Sequence, residues 1–204
     1  MKLVREAFVV LLAVLSISAT APKPEPYNVD EAYPVYGVLL PYEESYQFSG
    51  KGKIVIQQGT VSGLSVGPRM DVEACTDPGA KRIFREAIDD FLRMNKQTWL
   101  LQPRFEDTKP YEIVSRAGIE ALFNRDPKAG KKLSDGWKAF YEHHPDSGGY
   151  HVMSAVGFNK DKTKAVVHSG SSCGWLCGRW RFHLLEKKDG KWHEVPGVQC
   201  TTMS

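Results

Sequence analysis

Residues 150–195 read YHVMSAVGFNKDKTKAVVHSGSSCGWLCGRWRFHLLEKKDGKWHEV, and their pattern decides the fold. Four runs of alternating or β-branched residues are separated by NKDKT, by the cysteine-bearing SSCGWLCG and by Asp189-Gly190. An Asp-Gly pair between alternating runs is the strongest short-range hairpin signal. The stretch therefore predicts a four-stranded antiparallel meander over 150–196. Side chains alternate across a strand. Val152, Val156, Phe158, Trp180, Phe182 and Leu184 are then expected on one covered face, with Lys164, Arg179, Arg181 and His183 projecting outward.

Upstream of residue 150 the apolar period becomes helical. In KRIFREAIDDFLRMNKQ (81–97), Phe84, Ala87, Ile88, Phe91 and Leu92 recur at helical spacing, with Glu86, Asp89 and Asp90 on a solvated side. SRAGIEALF (115–123) gives a second helix with Ser115 as its cap, and SDGWKAFYEHHP (134–145) a third whose stripe is Trp137, Phe140 and Tyr141. EAYPVYGVLL (31–40) starts a short helix that Pro41 should end, and KIVIQQGT (53–60) reads as a buried strand. The turn-rich residues 61–80 read as a long loop pinned by Cys75. Helices before sheet predict an α+β fold, the helices packed on the C-terminal antiparallel meander.

Composition bounds the function. The 204 residues suit one domain, expected over 33–204 after an extended, proline-rich lead-in at 22–32. The 27 basic and 24 acidic residues are interspersed and leave a formal charge of only +3, so nucleic acid is not an expected partner. Residues 1–21 have the form of a signal peptide: Lys2 and Arg5, then the apolar run FVVLLAVLSIS, then small residues. That run falls short of the ~20 apolar residues of a membrane span. The protein is expected to be exported, periplasmic or secreted, and not membrane-spanning.

Export changes how cysteines are read. Cys75, Cys173, Cys177 and Cys200 form an even set in a compartment that favours disulfides, and they allow three pairings. Partners across a hairpin lie ~4.5–5.5 Å apart at Cα, inside the window a disulfide accepts. Cys173–Cys177 is therefore expected as a staple across the hairpin tip that displays Trp175, leaving Cys75–Cys200 to tie the middle of the chain to its end. A redox catalyst would prefer Cys-x-x-Cys at a helix start, and this spacing is Cys-x3-Cys.

Other chemistry is sparsely signalled. All six histidines fall between 143 and 193, without zinc-protease spacing. His168 and His183 flank the cysteine turn and could complete a Cys2His2 set with Cys173 and Cys177; the reading preferred is polar strand residues, with no metal and no cofactor. There is no G-x-S-x-G elbow and no phosphate loop. Ser154 and Ser171 remain as the serines a histidine could activate.

The pieces YPVYGVLL (33–40), KIVIQQGT (53–60), GWKAFYEHHPDSGGYHVMSAVGFNKDKTKAVVH (136–168), CGWLCG (173–178) and LLEKKDGKWHEV (184–195) resemble a family of uncharacterised secreted bacterial proteins. That family shares a W-x-x-F-Y-x-x-(Y/H)-P-x-S-x-G motif, a V-G-F-N strand and a D-G-K-W ending. The resemblance is specific over about 130–196, and it implies export and this fold but no activity. Trp175 and Arg179–Arg181 depart from it, since the family tends to small or aromatic residues there. The expectation is an exported, non-enzymatic binding or structural module. Its surface residues would be Trp175, Arg179, Arg181 and His183, in weak contact with an acidic polymer or membrane surface. The alternative is a small thiol-redox or metal-dependent enzyme built on the Cys173–Cys177 loop.

Overall fold

A computed structural model describes residues 23–44, 52–61, 71–106, 110–123, 133–174 and 176–203. The expected signal peptide, residues 1–21, and Trp175 lie outside the described residues. In chain order the elements are β1 (Glu25–Pro26), α1 (Ala32–Glu44), β2 (Lys53–Gln57), α2 (Val72–Cys75), α3 (Pro78–Ile83) and α4 (Arg85–Met94). Next come β3 (Trp99–Leu100), β4 (Tyr111–Val114), α5 (Arg116–Phe123) and α6 (Leu133–His143). The C-terminal part holds β5 (Ser147–Met153), β6 (Gly157–Phe158), β7 (Lys164–Ser172), β8 (Gly178–Lys188), β9 (Lys191–Val195) and β10 (Thr201–Met203).

The fold is mixed α+β, but the sheet is larger than a four-strand meander. Eight strands run in the order β10-β8-β7-β5-β2-β4, with β6 paired to β7 and β9 to β8. The long β7–β8 ladder is antiparallel, whereas β2 pairs in parallel with both β4 and β5. Parallel partners come from far apart in the chain, which no local turn signal announces. The lead-in also does more than extend: β1 pairs in parallel with β3.

Helices cover both faces. Tyr33, Val35, Tyr36, Leu39 and Leu40 of α1 join Ile54, Ile56, Met153, Val167, Leu185 and Trp192 in one core. On the other face Phe84, Ala87, Ile88 and Phe91 pack on Val166, Phe182 and Leu184. The expected helix over 81–97 breaks at Phe84 into α3 and α4, and Leu92 is exposed. Asp77 caps α3 by accepting from Gly79 N and Ala80 N at 2.9 Å, so the region read as loop already holds two short helices. The helix α1 runs past Pro41 to Glu44. Losing one backbone bond there costs about 3 kcal/mol, which the buried stripe before it offsets.

The expected single apolar face is split. Met153 pairs with Ser169 and Phe158 with Ala165, so the six residues 153–158 match five on β7, 165–169. Such an extra residue reverses the alternation. Phe158 and Val156 therefore join the α1 core, while Phe182 and Leu184 face α4. Side chains from both layers hold the break. Tyr36 Oη donates to Ser154 O at 2.8 Å, Asn95 bonds both backbone groups of Ala155 at 2.9 and 3.0 Å, and Val156 N donates to Tyr27 Oη at 2.9 Å. Burial pushes the Tyr27 and Tyr36 hydroxyls above their ordinary range, so they stay protonated donors. Asp90 and Glu86 accept from Phe158 N and Lys160 N at 2.9 and 3.1 Å, a backbone role for two acids expected on a solvated side. Gly157 fits because a Cβ would overlap the backbone of Phe91 and Ala87 on α4.

Candidate functional site

Two regions of the sheet gather the residues singled out above. The first is the tip of the β7–β8 hairpin. Cys173 and Cys177 are joined by a disulfide with Cα atoms 5.2 Å apart, as Cys75 and Cys200 are at 5.1 Å. Cys173 N donates to Cys177 O at 2.8 Å, and Ser172 pairs with Gly178, so the ladder itself also closes the tip. Between the cysteines Leu176 is 88% exposed, and Met203, in register with Arg179, is 74% exposed. These are the most exposed large hydrophobic residues among those described.

The tip rests on an aromatic layer. Tyr141 Oη of α6 donates to Cys173 O at 2.8 Å. Trp137 stacks on Tyr141 and on Tyr150 with ring centroids 5.9 Å away in both cases, and it meets Phe123 edge-on at 4.9 Å. Phe140 is fully buried, while Trp137 and Tyr141 are half-buried at the layer's edge.

The second region is a polar cluster on the α1 side of the sheet. His183 does not project outward as expected: it is 0% exposed, on the sheet face it shares with Val167 and Leu185 of the α1 core. Its Nε2 lies 2.7 Å from Ser169 Oγ, and its Nδ1 lies 2.9 Å from Glu194 Oε1. Arg181 Nε and Nη2 approach the same Nδ1 at 3.2 and 3.1 Å, and Arg181 also pairs with Glu194. Burial raises the Glu194 carboxyl, but the His183 hydrogen bond and the His183 and Arg181 charges outweigh it and hold it below its usual range. Ser169 and Glu194 carried no sequence signal; only the β7–β8 and β8–β9 registers bring them to His183.

A serine, a histidine and a carboxylate at these distances match the spacing of a nucleophile, its base and the base's orienter. The burial is inverted, however. Ser169 is 1% exposed and Glu194 is the solvent-facing member. A base that takes the serine proton needs Nδ1–H donated to the carboxylate, and here the Arg181 guanidinium crowds that same nitrogen beside Glu194. In this arrangement the cluster cross-links β7, β8 and β9 inside the sheet.

The other expected partners are separated. His168 pairs in register with Phe182, and His183 with Val167, so the two histidines point to opposite faces. With both cysteines oxidised, the Cys2His2 set is not assembled, and the described residues contain no group of three or more possible metal ligands. His168 lies against Phe182 and Trp180, at 4.7 and 6.2 Å between rings. Lys164 is half-buried beside Glu186 at 3.5 Å. Among the described residues no helix is long and apolar enough to cross a membrane. Comparison with protein-family models, curated proteins and solved structures finds no match for this chain.

Proposed function

We propose that the protein is an exported, disulfide-stapled module that binds rather than catalyses, and that its contact surface is the β7–β8 tip. The observation that carries this reading is Leu176, 88% exposed on a loop closed by a disulfide, with Arg179 and exposed Met203 beside it in the sheet. A stapled loop holds an apolar side chain in water without leaving the loop free to fold it away, which favours use as a contact. The oxidised cysteines fit an oxidising compartment, in keeping with the signal-like residues 1–21 and the resemblance to secreted bacterial proteins. The partner proposed is an anionic surface, an acidic polymer or a membrane, met by Leu176, Trp175 and Arg179. Of the residues first expected there, His183 is buried and Arg181 is engaged with Glu194.

Sedimentation with acidic polysaccharide and with vesicles containing anionic lipid tests the reading. Wild-type protein should pellet at low salt, and Leu176→Asp with Arg179→Glu should remain in the supernatant. Equal behaviour of the two proteins removes the tip as the contact. The distances at Ser169 favour acyl transfer as a second reading. A fluorophosphonate that labels the folded wild type but not Ser169→Ala would establish that chemistry and displace the binding reading.

A further inference from the structure

The two disulfides stand in contrasting surroundings. Cys75 is 3% exposed, among Val72, Phe84, Ala87 and Ile88, and the chain around the bond is tied down by the Thr76–Val198 bridge and by Gln199 N donating to Cys75 O at 2.8 Å. Cys173 and Cys177 are both partly exposed at the end of a hairpin. Thiol–disulfide exchange needs an attacking thiolate to reach one sulfur of the bond, so access governs its rate. Cys200 is also partly exposed, but attack there must release the Cys75 thiolate into the apolar core. At the tip either sulfur can be attacked and the other can leave toward solvent.

We infer that Cys173–Cys177 is a reversible modification site, opened by a dithiol reductant while Cys75–Cys200 stays closed, with its state passed to the aromatic layer through Tyr141. The protein is the substrate of this exchange, and the tip has neither the spacing nor the helix start of a redox catalyst. One thiolate of the reductant attacks a tip sulfur, forming a mixed disulfide and releasing the other cysteine as a thiolate that takes up a proton. The reductant's second thiol then displaces the first cysteine as a thiol. Two electrons and two protons pass to the protein, and the reductant leaves as its disulfide.

The surroundings suit both states. Nine in-register pairs between β7 and β8, ending at Ser172 and Gly178, keep the hairpin together without the bond. Cys173 Sγ lies 2.8 Å from Cys177 O, so the freed thiol has an acceptor in place. The Cys173 carbonyl is the acceptor that positions Tyr141, and Tyr141 stacks on Trp137. A shift of the tip is therefore felt by the indole. This inference is independent of the proposed surface contact, since exchange can succeed or fail whichever surface the tip meets.

Graded dithiothreitol, followed by alkylation and peptide mass mapping of the native protein, tests it. Cys173 and Cys177 should be alkylated at a reductant concentration at least tenfold below that needed for Cys75 and Cys200, with far-ultraviolet dichroism unchanged. Alkylation of all four together, or of none before unfolding, overturns the site. In a Trp175→Phe background, which removes the loop's own indole, reduction should change tryptophan emission, and Cys173→Ser/Cys177→Ser should reproduce the reduced spectrum. Tyr141→Phe should abolish that change while leaving the alkylation order intact. Emission that ignores the bond's state overturns the link through Tyr141.

Discussion

One bond spans 125 positions and the other 4; the first is anchored in the core and the second closes a hairpin tip. Cys75–Cys200 fastens the stretch after β9 to α2, inside the core that α4 makes with the sheet. Cys173–Cys177 closes a loop that backbone hydrogen bonds already close. The same covalent link thus does different work. In the core it restricts a long unfolded chain; at the tip it fixes the shape of a few exposed residues.

Removing the long bond should produce the largest effect. With its ends 125 positions apart, chain entropy predicts a loss of about 5 kcal/mol for Cys75→Ser/Cys200→Ser. Denaturant unfolding of the purified double variant measures it, and a loss below that of the tip variant breaks the comparison. Next comes Gly149→Ala. Gly149 has φ of +112°, and a Cβ there would overlap Ser172 O and crowd Cys173. Backbone strain and overpacking should cost about 3 kcal/mol. A cost above that of cutting the short bond would show that close backbone packing, more than the sulfurs, seats the tip.

Cys173→Ser/Cys177→Ser should lose only about 2 kcal/mol, the value for so short a loop, with the long bond and the fold intact by dichroism. A loss as large as that of the core bond would erase the distinction. The smallest expected effect is at Glu194, whose contribution depends on pH while neither disulfide's does in acid. Its folded pKa is held down, so its stabilisation is present above the unfolded carboxyl value, about 4.3, and is lost as pH falls through the folded value. Glu194→Gln should cost about 1 kcal/mol at pH 6, discounted for partial exposure, and progressively less below pH 4. Urea midpoints at pH 6 and pH 3 measure it, and a gap that persists in acid would assign Glu194 a role other than its charge.

What the sequence made legible was local. The β7–β8–β9 turns, the buried stripe of α4, the Ser115 cap, at 3.0 Å from Gly118 N, and the short cysteine pairing all follow from residues a few positions apart. The parallel pairing of β2 with β4 and β5 was not legible, because its partners are joined by long crossovers. Nor was the break at 154–156, since the side chains that satisfy it are Tyr27, Tyr36 and Asn95, from distant segments. His183 was misplaced for a related reason. Alternation gives two faces, but only the docking of α1 shows that both are covered. Ser169 and Glu194 look ordinary in sequence and acquire a partner only through register.

The tyrosine contacts at that break also constrain the order of assembly. Tyr36 and Tyr27 reach partners 118 and 129 residues further along the chain. Contacts of such separation close late, because loop entropy must be overcome before they contribute. A chain delivered N-terminus first carries Tyr27 and Tyr36 without these partners until residues 154–156 arrive, and Cys75 waits longer still for Cys200. The N-terminal helix therefore cannot settle ahead of the rest. The contacts made by the chain's early and late segments then close together, in one late step.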